Sequence, residues 1–436
     1  MEMGTGKTKV VLDLIASRPD LRPALIVAPL SILDKWIGEA MLHHPELKGQ
    51  VIKRGEKLDL SMNFYVINYE MLWRMAKALV RKDYFKLMVL DESVKIKNRT
   101  SKQSRGCIAL GRLIPNRIIM SGCPVTNNPL DLWNQMNFLN PNILKVNYWA
   151  FRDRHAVMEM RGLFRKIVAW KNLEMIDPLV KDNVFRVLKK DCLDLPDKVY
   201  EIRRIDLSDH QKQAYKQMKN TLVSELSDGT ISSVEVAVAR LMKLSEICGG
   251  FMYTDEKNHN EPVPYDFKEN PKLDALKDLL ENVGATQTDS EGLYINPVVV
   301  WCRFRREAHM INKMLDENKI FHECLTGDAS VSERSRMVDW FQKRMVAVLV
   351  SQPQVGGMGL DMTASNICVF YSNDYSFGNR IQAEDRLHRI GQKRSVVYVD
   401  LVARGTIDWT VIAALKAKKN LAEMFTDPSS LKGALE

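Results

Sequence analysis

MEMGTGKTKVVLDLI (residues 1–15) sets Gly4, Gly6, Lys7 and Thr8 immediately ahead of an apolar run with helical spacing. Glycines let a turn present its backbone N–H groups to an anion, a lysine neutralises phosphate oxygens, and a hydroxyl reaches Mg²⁺. The helix begun by KVVLDLI points its N-terminus at the same anion. The stretch is the functional half of a GxxxxGK[ST] loop whose first position falls on Met1. Gly4, Thr5, Gly6, Lys7 and Thr8 are its candidate phosphate contacts. Such a loop normally follows a buried strand, so either residues precede Met1 in the natural protein or the sheet lacks a strand.

FKLMVLDES (85–93) reads as a buried strand that ends in Asp91 and Glu92. Transfer of a phosphoryl group to water uses one carboxylate near Mg²⁺ and another to orient the water. Two acids at the end of a strand can supply both; the plain alternative is a solvated strand end. ALIVAPL (24–30), MNFYVINYE (62–70) and RIIMSGCP (117–124) are further apolar runs bounded by turn residues. KVVLDLIAS (9–17) and SILDKWIGEAML (31–42) are helical patterns set among them. Strand alternating with helix predicts an α/β fold with a parallel sheet.

The alternation stops near residue 140, and 141–190 is expected to be a small helical insertion. LPDKVYEIRRIDLSDHQKQAY (195–215) gives a strand and a helix start at Ser208, and SSVEVAVARLMKLSEICGG (232–250) a second helix. Polar stretches over 252–296, around a helix near 271–282, read as surface connections. A second α/β run follows, with strands in PVVVWCRF (297–304), FHECLTGD (321–328), MVAVLVSQ (345–352), NICVFYS (366–372) and SVVYVDLVA (395–403). The expected domains are 1–196 and 197–436.

The chain of 436 residues carries a net charge of +9, which tilts its partner toward a polyanion. It has no apolar run long enough to span a bilayer, so no membrane association is expected. Its seven cysteines are odd in number and form no CxxC pair, which favours a reduced compartment over a disulfide or zinc framework. Histidines do not cluster at metal-ligand spacing.

QAEDRLHRIGQ (382–392) places Arg386 and Arg389 three residues apart, hence on one helical face. Paired guanidiniums of this kind can reach a terminal phosphate across a cleft.

In this order the strings resemble the Swi/Snf-type ATPases of helicase superfamily two, which are double-stranded DNA translocases. EMGTGKT resembles motif I and LIVAPLSILDKW motif Ia. DESVKIKN resembles the acidic box with its IKN tail, and MSGCPVTNNPLDLWNQMNFLNP motif III with its LW tail. LPDKVYEIRRIDLSDHQKQAY resembles the linker, VVVWCRF motif IV, and SQPQVGGMGLDMTASNICVFYSNDYSFGNRIQAEDRLHRIGQ motifs V and VI. The resemblance covers nearly the whole chain. It implies two RecA-like parallel-sheet lobes with small helical insertions, binding ATP and Mg²⁺ between them.

Residue by residue, it implies Lys7 and Thr8 on phosphate and metal, Asp91 on the metal through water, and Glu92 positioning the attacking water. Arg386 and Arg389 would come from the second lobe. Gln382, Gly359 and Asp361 would line the nucleotide cleft, and Ser121, Gly122 and Thr126 would couple the lobes. Lys35, Asn127, Arg303, Arg305 and Arg306 are candidate contacts to duplex DNA; each is equally readable as solvated basic surface. TIDWTVIAALKAKKNLAEMF (406–425) resembles the helical brace after motif VI.

The chain departs from the family pattern in three strings. The acidic box reads Asp91-Glu92-Ser93-Val94 without its histidine, motif III reads Ser121-Gly122-Cys123-Pro124, and motif V reads Gly359-Leu360-Asp361-Met362. The readings in competition are an ATP-driven duplex-DNA translocase, a degenerate DNA-binding scaffold, and an RNA helicase. A minimal motor of this kind is expected to be intracellular, in the cytoplasm of a prokaryote or phage-infected host rather than a nucleus, with protein partners setting its target.

Overall fold

A short run that is apolar at every position makes a strand only if both of its faces are covered. The computed structural model describes residues 1–79, 84–161, 164–227, 234–258, 261–356 and 360–426. They divide into two compact units, Met1–Asp194 with Ala417–Glu436, and Leu195–Lys416. The tail of the last helix therefore groups with the first unit, whereas the sequence pattern assigned all of 197–436 to the second.

In the first unit β1 (Ala24–Ala28), β2 (Gly49–Val51), β3 (Phe64–Asn68), β4 (Leu87–Asp91) and β5 (Asn116–Met120) form a parallel sheet ordered β2-β3-β1-β4-β5. β1, β3 and β4 are buried along their whole length. Side chains alternate between the faces of a strand, so each run feeds two cores. Ile26, Val66 and Val89 meet α1 (Lys7–Ser17) and α2 (Leu33–His43) through Leu12, Ile15 and Trp36. Val27, Ile67 and Leu90 meet α3 (Tyr69–Leu79), α4 (Lys102–Gly111) and α5 (Leu130–Leu139) through Leu72, Leu110 and Phe138. β2 escapes the sequence pattern because it is short. Its Gly49 is required by packing, since a Cβ there would stand 2.2 Å from the Phe64 ring.

The chain enters α1 directly from the glycine loop, and the Glu2 N–H donates to Val187 O at 2.9 Å. β5 bonds to β4 on one side only. Among the described residues no strand lies along its other edge, where Leu14 of α1, Ile118 of β5, Met136 of α5 and Phe185 line a cavity of about 330 Å³.

The expected helical insertion over 141–190 is only partly helical. It holds α6 (Tyr148–His155), an antiparallel hairpin of β6 (Ala156–Arg161) and β7 (Phe164–Trp170), and short α7 (Ile176–Val180) and α8 (Lys189–Cys192). FRKIVAW is rich in β-branched and aromatic residues, which favour a pleated strand, and that local preference prevails.

In the second unit β8 (Lys198–Ile205) leads to α9 (Asp209–Ser227) and α10 (Val234–Gly249). The 252–296 region, expected as surface connection around one helix, contains a hairpin of β9 (Phe251–Asn258) and β10 (Glu261–Asp266) ahead of α11 (Pro271–Asn282). β11 (Val298–Trp301), α12 (Arg305–Glu317), β12 (His322–Leu325), α13 (Val331–Gln342), β13 (Val348–Ser351), α14 (Pro353–Gly356), β14 (Ile367–Phe370), α15 (Phe377–Glu384), β15 (Val396–Ala403) and α16 (Ile407–Thr426) follow. The strands form a parallel sheet ordered β12-β13-β11-β14-β15-β8. Val298, Val300 and Val350 pack on α11 and α12 through Leu276, Ile311 and Leu315. Val299, Trp301 and Leu349 pack on the other face with Phe341 and Leu387.

One buried ionic cluster ties α15 to this sheet. The Arg380 guanidinium donates to both Asp400 oxygens and to Glu384 Oε1, and lies 3.6 Å from the Phe370 ring centroid. Glu384 also accepts from Tyr200 Oη at 2.8 Å and faces Lys198 at 3.4 Å. Burial alone would raise the Glu384 carboxyl, but Arg380 and Lys198 hold it below the ordinary glutamate range. Removing one partner from such a cluster strands the others. Arg380→Ala should destabilise the second unit by about 3–5 kcal/mol in urea unfolding at neutral pH. Because the depressed carboxyl contributes stability above the ordinary glutamate range and loses it as pH falls through its folded value, the gap to wild type should narrow in acid.

Candidate active site

Gly4 and Gly6 take φ of 79° and 84°, the left-handed region that a side chain resists. Gly6 is the N-cap of α1, and no side chain caps it. The first helical bond runs from Val10 N–H to Gly6 O, so the amides ahead of Val10 have no acceptor within the helix. A Cβ at Gly6 would meet nothing within 4 Å, which leaves the approach to those amides open. The loop braces itself through carbonyls: Thr5 Oγ1 donates to Glu2 O at 2.8 Å, and Lys7 Nζ to Glu2 O at 2.9 Å.

β4 delivers the acids. Asp91 is 6% exposed. Trp36 Nε1 donates to its Oδ2 at 3.2 Å, and Tyr69 Oη to its backbone O at 2.7 Å. Burial raises the Asp91 carboxyl above its ordinary value, opposed by the Lys7 ammonium and the Trp36 N–H.

Glu92 follows in the left-handed region at φ 55°, and a 3₁₀ turn, Ser93–Ile96, leads away from it. That turn is fastened to the segment after β5. Ser93 Oγ donates to Gln135 Oε1 at 2.7 Å, Asn134 Nδ2 and Ser104 Oγ both donate to Ile96 O, and Lys97 Nζ donates to Thr126 Oγ1 at 2.7 Å. Asp131 Oδ2 accepts from the Thr126 and Asn127 N–H groups at 3.0 and 2.8 Å, and Lys97 Nζ stands 3.9 Å away. Sequence reasoning missed Trp36, Lys97, Asp131, Asn134 and Gln135. The available signal was a helix with four polar side chains among apolar ones, three of which, Asp131, Asn134 and Gln135, are buried in α5. Thr126 bonds within the first unit, and Gly122 lies against the loop, where a Cβ would stand 2.6 Å from Met3 Cγ.

Thr8 and Asp91 offer a hydroxyl and a carboxylate, the hard oxygen donors that suit Mg²⁺. Among the described residues no three His, Cys, Asp or Glu side chains gather as a metal cage.

In the second unit Arg386 and Arg389 do not lie on a helix. α15 ends at Glu384, and tight bonds from Arg386 N–H to Ala383 O and Leu387 N–H to Glu384 O turn the chain out of it. Both arginines nevertheless meet motif V: Arg386 Nη1 reaches Leu360 O at 3.5 Å, and Arg389 Nε stands 3.8 Å from Asp361 Oδ2. Gln392 Nε2 staples the turn to Ser365 O at 2.7 Å. Gln382 is part-buried on α15, and Gly359 lies outside the described residues. Of the candidate DNA contacts, Arg306 is engaged by Asp266, Arg305 pairs with Asp328 at 3.2 Å, and Asn127 Oδ1 accepts from Lys418. Lys35 is exposed on α2.

The SNF2-related domain matches residues 1–250, and the helicase conserved C-terminal domain matches residues 271–391. The chain belongs to the SNF2-related family. TATA-binding protein-associated factor MOT1 of Saccharomyces cerevisiae is 26% identical over 97% of this chain and 26% of its own length. A putative ATP-dependent helicase/translocase, YwqA of Bacillus subtilis, is 27% identical over 96% of this chain and 45% of its own length. The chain thus spans between a quarter and a half of these curated relatives. A solved structure, the Sulfolobus solfataricus SWI2/SNF2 ATPase core in complex with dsDNA, is 23% identical, with a TM-score of 0.42 over 100% of this chain and 89% of that one.

In this SNF2-related domain the residues flanking the NNPLDLW string, Thr126 before it and Asn134 and Gln135 after it, hold the segment that follows the acid pair. Asp131 anchors that string. Asp131→Ala should destabilise the first unit by about 1.5–3 kcal/mol in urea unfolding, the range for bonds to a buried charge. Asp20→Ala, at an exposed pair with Arg18, should leave unfolding unchanged.

Proposed function

We propose that this chain hydrolyses ATP and uses the energy to move along double-stranded DNA without separating its strands. The observation that carries this reading is that one unit holds both the glycine loop, with its open amides at the start of α1, and the buried Asp91 at the end of β4, with Glu92 next to it ahead of a fastened turn. Membership of the SNF2-related family supports it, as do relatives named as ATP-dependent helicases and a helicase/translocase.

In this mechanism the amides after Gly6 and the Lys7 ammonium take the phosphates, and Thr5 braces the loop. Thr8, and Asp91 through water, would hold Mg²⁺, which would neutralise charge on the phosphate oxygens. Glu92 orients the attacking water. Arg386 and Arg389 serve the terminal phosphate, with Asp361 and Gln382 setting their placement. Backbone phosphates of duplex DNA bind exposed basic side chains such as Lys35 and Arg305, which confers affinity without sequence preference.

ATP turnover by the purified protein, measured with and without duplex DNA, tests the reading. Duplex DNA should stimulate turnover at least about tenfold, and single-stranded RNA should not. Glu92→Gln should keep ATP binding and lose about 10²–10⁴-fold in turnover, the scale of a lost general base. Lys7→Ala should lose nucleotide binding as well. Turnover indifferent to DNA would contradict the motor, and wild-type DNA binding with no turnover would establish the scaffold reading instead.

A further inference from the structure

We propose that Arg99, Trp149 and Arg152 form a platform in the first unit that holds backbone phosphate of one DNA strand. This rests on the duplex-DNA reading and names a contact for it.

Trp149 is 52% exposed, yet its ring is not loose. Tyr148 packs edge-on against it at 5.3 Å, and Trp133 edge-on against Tyr148 at 5.6 Å. Trp133 Nε1 donates to Val146 O at 3.1 Å, and Asn147 caps the start of α6 by accepting from Ala150 N–H at 2.9 Å. The indole therefore stands on a built base at a helix start.

Two cations gather on it. The Arg99 guanidinium lies 4.7 Å from the Tyr148 ring centroid and 4.9 Å from that of Trp149, and the Arg152 guanidinium lies 4.7 Å from Trp149. Stacking engages the flat face of a guanidinium and leaves its in-plane N–H donors pointing outward, in the fork that matches phosphate. Arg152 gives part of its fork to Asp153, through Nε at 2.9 Å and Nη2 at 2.7 Å. Among the described residues Arg99 makes no hydrogen bond and no ion pair. Asp153 offsets the charge of Arg152, which leaves the Arg99 guanidinium beside the same ring with no carboxylate of its own among the described residues. An indole shelf beside the forks suits a nucleic-acid strand, whose sugars offer apolar surface next to each phosphate, better than a free phosphate ion.

The platform is also wired to the chemistry. Arg99 follows directly on the segment that begins at Glu92 and is fastened at Ser93, Ile96 and Lys97. A phosphate held at Arg99 therefore pulls on the same rigid segment that carries the acid. This supplies a route by which DNA raises turnover.

Fluorescence anisotropy with a labelled duplex, titrated with salt, tests the platform. Arg99→Ala with Arg152→Ala should weaken binding about tenfold near 0.1 M salt and flatten the salt dependence by roughly one to two units of slope, at about 0.9 per phosphate. DNA-free ATP turnover should be unchanged. Arg99→Lys with Arg152→Lys, which keeps charge and solubility, should recover only part of the loss because the fork is gone. Folded variants that match wild type in affinity and slope would overturn the platform alone. Inorganic phosphate displacing the duplex at low millimolar concentration would also overturn it, in favour of a free-anion site. Wild-type protein that ignores duplex DNA would overturn the platform and the motor reading together.

Discussion

A carboxylate at the end of a fully buried strand needs a counter-charge, and for Asp91 the largest opposing influence is the Lys7 ammonium. Left alone in an apolar setting, an acid neutralises itself instead of staying ionised. Here burial does push the carboxyl up, and Lys7 and the Trp36 N–H pull against it. That three-way balance leaves an acid whose ionised form gains when a cation arrives.

The second constraint is mechanical. Glu92 departs from β4 in a left-handed conformation, so the chain turns sharply and cannot be held by the sheet beyond that point. Side chains of α5 hold it instead. Asp131, Asn134 and Gln135 spend their polar groups on Thr126, Ile96 and Ser93, and Lys97 closes the network on Thr126. Buried networks of this kind are stable only when satisfied throughout, which makes them sensitive to any partner lost. The same fastening extends to Arg99, so the phosphate chemistry and the proposed nucleic-acid contact share one short piece of backbone.

Much of this was legible in the sequence. Strands buried on both faces read as apolar runs, and the runs at 24–30, 62–70, 85–93 and 117–124 all contain sheet strands. The glycine loop and the acid pair were legible because their chemistry admits few residue types. What escaped has a common cause: its partners are distant in the chain. Nothing local shows that Trp36 faces Asp91, or that Asn134 serves Ile96. The β6–β7 hairpin escaped because basic residues interrupt its alternation, and Arg386 and Arg389 were read onto a helix that ends at Glu384. Their meeting with Leu360 and Asp361 comes from the turn that follows.

The most direct measurement of the account is mechanical output on intact duplex. A DNA triplex, in which a third strand lies in the groove of a duplex, reports movement along the duplex without requiring it to open. The protein with ATP and Mg²⁺ should strip the third strand while a fork of the same sequence stays paired. ATP consumption that leaves the third strand in place, or that splits the fork, would contradict it.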